Sequence, residues 1–213
     1  MVLSIIVIFI TLFALWVISG YLPTMNIETP AYSVIEKKAE YEIRQYASYI
    51  IAETHQKGSR QESLSGGFRE LFRYISGDNI ARSKVPMTAP VLQSAEGGGE
   101  KIPMSAPVIK QGDGGSSLIA FVMPAGSKLE DLPQPRSTII RLRVVPPERV
   151  AAITFSGYAT GDTIRENTGK LLSALKRDGR QVRSAPHIAL YNPPWTPPFM
   201  RRNEVMVEIE QGD

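Results

Sequence analysis

Two predicted helices, 100 residues apart in the chain, carry the same pattern of apolar side chains. The first covers residues 63–75 and ends before Gly77. The second covers residues 162–177, with Asp162 as its expected N-cap, and ends before Gly179. The matching pairs are Leu64 and Ile164, Leu71 and Leu171, Phe72 and Leu172, and Ile75 and Leu175. Helical spacing of apolar residues is generic, but each helix also follows a strand pair and precedes further strands. The sequence therefore predicts a ββαββ unit used twice.

Runs rich in Tyr, Ile and Val around these helices have the composition of strands. They cover residues 32–37, 41–46, 49–55, 85–92, 102–109, 118–123, 137–145, 150–155, 188–191 and 204–209. Strands mixed with two amphipathic helices favour an α+β fold. We expect a mostly antiparallel sheet or distorted β-barrel, with both helices packed outside it and a pseudo-two-fold axis between the halves.

The start of the chain is apolar, and its first charged residue is Glu28. As a helix, residues 2–22 would span about 31 Å, the thickness of a bilayer core. Trp16 and Tyr21 lie near one end, as interfacial aromatic residues do. We predict a transmembrane helix at residues 1–22, a linker at 23–31 and a globular domain at 32–213. A cleaved signal peptide is the alternative, but no Lys or Arg precedes the apolar run, which is long for such a peptide.

The side of the membrane is weakly encoded. Lys37 and Lys38 follow the span at a distance, which favours a cytoplasmic domain. An N-terminal signal anchor normally translocates the domain that follows it. We expect a single-pass membrane protein with an exported, periplasmic domain.

Composition excludes several classes of protein. The chain has no cysteine and two histidines, which excludes disulfide scaffolds, thiolate chemistry and a histidine-rich metal centre. The net charge of +3 does not indicate nucleic-acid binding. No nucleophile elbow, phosphate loop or acid–base pair is evident. We therefore expect a protein that is not an enzyme.

A short motif occurs twice in the first half. Residues 84–91 (KVPMTAPV) recur as residues 101–108 (KIPMSAPV), with only conservative differences. Prolines donate no hydrogen bond to a β-ladder, so we expect both copies at a sheet edge or bulge.

Five motifs stand out along the chain: YEIRQY at 41–46, the repeated motif, FVMP at 121–124, FSG at 155–157 and YNPPWTPPFMRRNEV at 191–205. Together they resemble the SOUL haem-binding protein family. The resemblance runs from about residue 28 to 209, and the doubled motif is typical of bacterial members. It implies a distorted antiparallel barrel flanked by two helices with pseudo-two-fold symmetry. Effector-binding domains of transcription regulators share that fold, so the fold alone does not identify a ligand.

The resemblance also implies reversible, non-covalent binding of haem or another tetrapyrrole in an apolar cleft. The cleft would lie between the first helix and the Tyr-Asn-Pro-Pro loop. Carried over, it places Phe72 and Arg73 on the helix and Trp195 and Thr196 on the loop. Part of the family has a proposed axial histidine after Tyr-Glu-Ile-Arg. This chain has Gln45 there, which puts histidine ligation in doubt.

The residues themselves agree with such a ligand. Haem is a flat apolar disc with two carboxylates, so it needs aromatic surface and nearby cations. Trp195, Phe199, Arg201 and Arg202 lie within eight residues, and Arg69 and Arg73 lie four apart on one helix edge. Alternatively, the two loop arginines form a solvated turn, and the two loop aromatics cap the barrel.

The predicted cofactor-binding set combines both arguments. It comprises Arg69, Phe72, Arg73, Trp195, Thr196 and Arg201, with His55 as a candidate axial ligand; His187, Met87 and Met104 are the other candidates for iron.

Two functions fit the sequence. The first is a membrane-anchored haem or tetrapyrrole buffer or carrier. The alternative is an accessory subunit of a membrane protein complex that uses the same fold without haem. A haem-processing enzyme is a third possibility that no catalytic constellation supports.

Overall fold

A computed structural model describes residues 2–21, 28–81, 99–114 and 116–210. The helices are α1 (Val2–Tyr21), α2 (Arg60–Ile75) and α3 (Gly161–Arg177). The strands are β1 (Tyr32–Lys37), β2 (Glu42–Tyr46), β3 (Tyr49–Lys57), β4 (Asn79–Ile80), β5 (Val108–Gly114), β6 (Ser116–Val122), β7 (Gln134–Pro135), β8 (Ile140–Val145), β9 (Glu148–Phe155), β10 (His187–Leu190) and β11 (Asn203–Glu208). The predicted strand at 85–92, with the first motif copy and Met87, lies outside the described residues.

Nine of these strands form one antiparallel sheet, in the order β1-β2-β9-β11-β10-β5-β6-β3-β8. The remaining two, β4 and β7, pair separately. The predicted α+β class is confirmed. The expected barrel is corrected to a curled half-barrel, because the strand order is linear and β1 and β8 are edges of the described sheet.

The order of the strands repeats about the centre of the sheet, where β5 pairs with β10. On one side the order continues β6-β3-β8, and on the other β11-β9-β2. The strand that opens each unit has crossed to the opposite side: β2 pairs with β9, and β8 pairs with β3. The predicted double ββαββ unit is therefore present, with its first strands exchanged.

Both α2 and α3 pack on the same face of this sheet, one over each half. Leu71 of α2 and Leu171 of α3 are fully buried, in separate clusters with Phe121 and Val205 respectively. The equivalence of the two helices predicted from their apolar register holds at these positions. At the pair Phe72 and Leu172 neither side chain is fully buried: Phe72 is 46% exposed and Leu172 is half-buried.

The close approach of α2 to the sheet depends on Gly67. A Cβ atom built there would lie 2.5 Å from Cγ1 of Ile119 on β6. No side chain fits at that distance without moving the helix or the strand. The absence of a side chain at Gly67 thus allows α2 to pack directly on the sheet.

The ends of both helices are set by local side chains. Ser59 and Glu62 form a reciprocal capping box at the start of α2. At α3 the cap is Thr160, whose hydroxyl accepts from the Thr163 amide, so the predicted Asp162 cap is wrong. Because α3 begins at Gly161, Asp162 lies in the first turn, where its charge still favours the helix dipole.

The second copy of the short motif is not a strand up to Val108, where β5 begins, and this corrects the prediction for residues 102–109. Its backbone amides bond elsewhere: Ile102 donates to the Ile75 carbonyl (2.8 Å) and Ala106 to the Glu28 carbonyl (2.9 Å). The motif is therefore a tether between α2 and the segment before β1.

The N-terminal helix α1 exposes large apolar side chains from Ile5 to Trp16. Near its C-terminal end it contacts the globular domain, as described below. Within the segments that the structure describes, no helix is both long enough and apolar enough to cross a membrane.

Gly67→Ala should lower the free energy of unfolding by about 1–3 kcal/mol, because the new methyl group overpacks the contact with Ile119. The matched control is Gly169→Ala in α3, where nothing lies within 4 Å of the added carbon. For Gly169→Ala we expect the free energy of unfolding to rise by about 0.5–1 kcal/mol, because alanine has a higher helix propensity than glycine. Chemical denaturation measures the free energy of unfolding of both variants. Equal changes in the two variants would refute the proposed contact.

Candidate functional site

The outer face of α2 carries an exposed pair of aromatic rings. Phe68 and Phe72 are 36% and 46% exposed, and their rings stack with centroids 5.8 Å apart and 10° between planes. Phe68 also meets the buried Phe121 edge-on, with centroids 5.2 Å apart. One end of the pair is thus fixed in the core, and the other offers a flat apolar surface outside it.

Two arginines lie beside this pair on the same helix. Arg69 and Arg73 are both exposed. Arg73 forms ion pairs with Asp78 (2.9 Å) and Glu70 (3.5 Å), so a ligand carboxylate would share or replace these partners. Exposed ion pairs contribute about 0–1 kcal/mol, so this exchange costs little. The helix therefore presents a flat apolar surface and two cations, the two elements that a tetrapyrrole requires.

The loop residues of the predicted site pack on α1. Thr196 is buried, and its hydroxyl donates to the Gly20 carbonyl (3.4 Å). A Cβ at Gly20 would lie 2.5 Å from Pro197 Cδ, so only glycine allows this contact. The carbonyl of Trp195 accepts from the indole Nε1 of Trp16 (3.0 Å), while the Trp195 side chain is exposed.

Arg201 is engaged within the same loop. Its guanidinium donates to the carbonyls of Thr196 (2.8 Å) and Pro194, and lies 4.6 Å from the centre of the Tyr158 ring. These bonds hold the loop backbone, so Arg201 would have to leave them to bind a propionate. Phe199 stacks on Phe13 of α1, with centroids 6.4 Å apart.

The structure therefore divides the predicted set. Arg69, Phe72 and Arg73 share the α2 surface, whereas Trp195, Thr196 and Arg201 belong to a loop that contacts α1, Gly157 and Tyr158. Neither of the two cavities described is lined by either group. The cleft between α2 and the loop stays a prediction.

The candidate iron ligands lie away from the α2 surface. His55 is exposed on β3 and points away from α2, because its neighbour Thr54 pairs with Ile119 and Ile140 in the core beneath that helix. His187 is half-buried, also on the face opposite the helices, and burial lowers its pKa to about 4. Across the described segments, no group of His, Asp and Glu side chains forms a metal site.

One buried network was not predicted from the sequence. Glu204 is fully buried on β11 and accepts from Arg44 through Nη1 (2.8 Å) and Nη2 (3.1 Å). Tyr191 (2.8 Å), Arg202 (2.8 Å) and Thr154 (3.1 Å) donate to the same carboxylate. Tyr191 and Arg202 are the two ends of the loop. The network therefore fixes the base of the loop to three neighbouring strands.

The electrostatics of this network favour the charged forms. Burial alone would raise the pKa of Glu204, but hydrogen bonds and charge from Arg44, with the charge of Arg202, outweigh burial and lower it. Burial likewise opposes the charge on Arg44, whose pKa is nonetheless raised by Glu204. Both residues lie inside motifs of the sequence, YEIRQY and RRNEV. Their partnership is not visible there because it depends on how the strands are ordered.

Solved structures share the fold. The C-terminal domain of EcmrR is similar with a TM-score of 0.56 and 9% identity, covering 85% of this chain and 99% of that chain. A hydrolase from Listeria innocua is similar with a TM-score of 0.50 and 9% identity, covering 83% and 94% respectively. At such identities the likeness establishes an α+β half-barrel fold and nothing about a ligand.

The family is established by sequence. The model of the SOUL heme-binding protein family matches residues 27–208, and the chain belongs to this family. Human Heme-binding protein 2 is 28% identical over 159 residues, which cover 72% of this chain and 72% of the human protein.

Glu204→Gln should lower the free energy of unfolding near neutral pH by about 3–5 kcal/mol, because it leaves the buried Arg44 without its main counter-charge. Glu204 has a lowered pKa, so its stabilisation is complete above the ordinary value of 4.5 and is lost as pH falls through the native pKa. Denaturation at about pH 7 and about pH 3 should show less acid sensitivity in the variant than in the wild type.

The matched control is Glu208→Gln, on the same strand and the same face but half-buried. It should change the stability little. An equal loss in both variants, or an unchanged acid dependence in Glu204→Gln, would contradict the role given to the network.

Proposed function

We propose that this chain binds haem or another tetrapyrrole reversibly and without a covalent bond, on the outer face of α2. The observation that carries the proposal is the stacked Phe68–Phe72 pair with Arg69 and Arg73 beside it. Membership of the SOUL heme-binding protein family supports the ligand class.

Each residue has a distinct part in this proposal. The Phe72 ring would contact the face of the macrocycle, and Phe68 holds it in place through Phe121. Arg69 and Arg73 would pair with the propionates. Of the three predicted loop residues, Trp195 is the one whose ring is exposed and available for a ligand.

Iron ligation is the weakest part of such a site. His55 and His187 lie on the other face of the sheet. Without a strong axial ligand, we expect weak binding and a high-spin or mixed spectrum. Weak, reversible binding suits a buffer or carrier, and we propose no catalytic step.

Arg73→Glu should weaken hemin binding roughly ten- to a hundred-fold, because a charge-assisted hydrogen bond to a propionate contributes about 1.5–3 kcal/mol. Phe72→Ala should also weaken it, and the exposure of Phe72 limits the effect on folding. The measurement is a titration of the full chain with hemin, followed at the Soret band.

The control for Arg73→Glu is Lys170→Glu on α3, which also removes an ion pair from an exposed helix face, that with Glu166 (2.7 Å). It should leave hemin affinity unchanged. If Arg73→Glu and Phe72→Ala bind hemin normally while His55→Ala does not, the site lies on the opposite face of the sheet and our placement is wrong.

We also propose that residues 2–22 anchor the chain in a membrane, with the domain on the exported side. The charge-free apolar sequence before Glu28 supports this proposal. The exposed apolar side chains of α1, such as Ile8, Phe9 and Ile10, support it further because they have no cover within the described chain.

The full chain should fractionate with membranes and resist carbonate extraction, because transfer of the apolar segment into lipid outweighs surface adsorption. Mass spectrometry of the mature N-terminus provides the control. A mature chain beginning near Gly20 would instead identify residues 1–19 as a cleaved signal peptide.

A second candidate function is an accessory subunit of a membrane protein complex that does not bind haem. Gln45 favours it, because the family's proposed axial position is filled by an amide that donates to the carbonyls of Glu148 (3.1 Å) and Tyr46 (3.3 Å). Purification with a large membrane assembly, and no saturable hemin binding, would favour this candidate over the first.

A further inference from the structure

The C-terminal half of α1 lies alongside the loop at residues 191–202. Three residues of the helix contact this loop: Phe13, Trp16 and Gly20. Steps of three and four residues place all three on one face of the helix. The helix rises by about 10 Å between Phe13 and Gly20. The loop therefore runs beside α1 over that length and does not meet only its end.

The N-terminal half of α1 presents apolar side chains on every side. Residues 5–10 are six consecutive apolar residues, which together cover all directions around the helix axis, and all six are exposed. A helix that is apolar all round needs an apolar cover, and lipid is the cover proposed above. Because Phe13 stacks on Phe199, lipid that covers this half of the helix also reaches the loop.

The loop itself exposes aromatic rings at this level. Trp195 is 56% exposed, and Phe199 is 61% exposed although it stacks on Phe13. The backbone beneath these rings is fixed, because the Pro198 carbonyl accepts from the Gly157 amide (2.8 Å) and the Thr196 carbonyl accepts from the Arg201 guanidinium (2.8 Å). Exposed aromatic side chains next to a membrane helix are typical of the boundary between membrane and water.

The charge of the loop fits an anionic lipid surface. Residues 191–203 contain no Asp or Glu. The Arg201 guanidinium bonds to backbone carbonyls and lies over the Tyr158 ring, and within the described part of the chain no carboxylate forms an ion pair with it. Its positive charge is therefore not neutralised by the protein. Phosphate groups of anionic lipids attract such a cation at the membrane surface.

We infer that residues 194–201 form a second membrane contact, which enters the headgroup region of the bilayer that holds α1. This inference rests on the proposed membrane anchor and extends it to the globular domain. The rings of Trp195 and Phe199 lie against the ends of the acyl chains nearest the headgroups, and Arg201 lies at the level of the phosphates. The α2 surface, which carries the haem proposal, is left as the tetrapyrrole site.

The second contact also orients the domain. The Glu204 network fixes the base of the loop to the sheet, so the loop cannot enter lipid without the start of β11 facing the membrane. Val182 pairs with Ile209 just beyond the other end of β11. At about 3.4 Å per residue, this end lies roughly 20 Å farther along the strand. A side chain at Val182 should therefore stay in water.

The two tryptophans of the chain allow a direct test. Trp16→Phe leaves Trp195 as the only tryptophan. The full chain with this change is reconstituted in vesicles of equal parts phosphatidylcholine and phosphatidylglycerol, with or without bromine on the acyl chains. Bromine quenches a tryptophan that contacts lipid. Trp195 should lose most of its fluorescence in the brominated vesicles, and iodide in the water on both sides should quench it little.

Two reporters in a chain with both tryptophans changed to Phe provide the controls. The tryptophan introduced by Ile8→Trp should be quenched by bromine, because it reports the anchor. The one introduced by Val182→Trp should be quenched by iodide and not by bromine. If bromine quenches the Ile8→Trp reporter but not Trp195, the inference is wrong and the anchor stands. If it quenches neither, both proposals are wrong.

Substitutions of Phe199 in the Trp16→Phe chain test whether the loop binds lipid itself. Phe199→Asp should remove most of the bromine quenching of Trp195, because a carboxylate is excluded from the apolar region. Phe199→Leu should retain it, and Val182→Asp, at an equally accessible apolar position, should not change it.

Two results of these measurements would overturn the inference. An equal loss in Phe199→Leu and Phe199→Asp would mean that the stack on Phe13 holds the loop to α1 and that lipid has no part in it. A Trp195 that neither bromine nor iodide quenches would mean that protein, such as a second copy of this chain, covers the loop.

Discussion

A single buried carboxylate, that of Glu204, organises the half of the sheet that β2, β9, β11 and β10 form. It draws Arg44 from β2, Thr154 from β9 and Tyr191 from the end of β10 around one point on β11. The desolvation cost of an isolated charge at this depth would be very large, so the carboxylate is tolerated only with all of these donors in place. The requirement is geometric as well as energetic, because the donors come from separate strands. The sheet order and the position of the loop therefore depend on the same group.

Much of the fold could be predicted because apolar periodicity is a local signal. The predicted β1 has the observed bounds, and the predicted α2 and α3 have the observed C-terminal residues. Prediction failed where tertiary contacts decide. The motif around Ser105 has the composition of a strand, yet its amides bond to Ile75 and Glu28. Thr160 caps α3 ahead of Asp162 because the helix begins at Gly161, one residue before the predicted range.

The candidate site shows the same limit. Arg69, Phe72 and Arg73 could be placed together from the sequence, because helical spacing alone puts them on one surface. Trp195, Thr196 and Arg201 could also be grouped, since they are close in the chain. The sequence does not show which part of the fold packs against each of these two groups of residues. The loop packs on α1 through Gly20 and Trp16, a contact between residues about 180 positions apart.

The exchange of β2 and β8 between the halves has a consequence for the independence of each half. A chain containing only one ββαββ unit would have its opening strand reaching out without its partner strand from the other unit, and a vacant sheet edge where the other unit's strand now lies. Two such chains would complete each other around the same two-fold axis, in the manner of a domain-swapped homodimer. The present polypeptide is equivalent to that dimer with its subunits covalently fused. Its halves cannot melt one at a time without breaking the ladders that they hold in common.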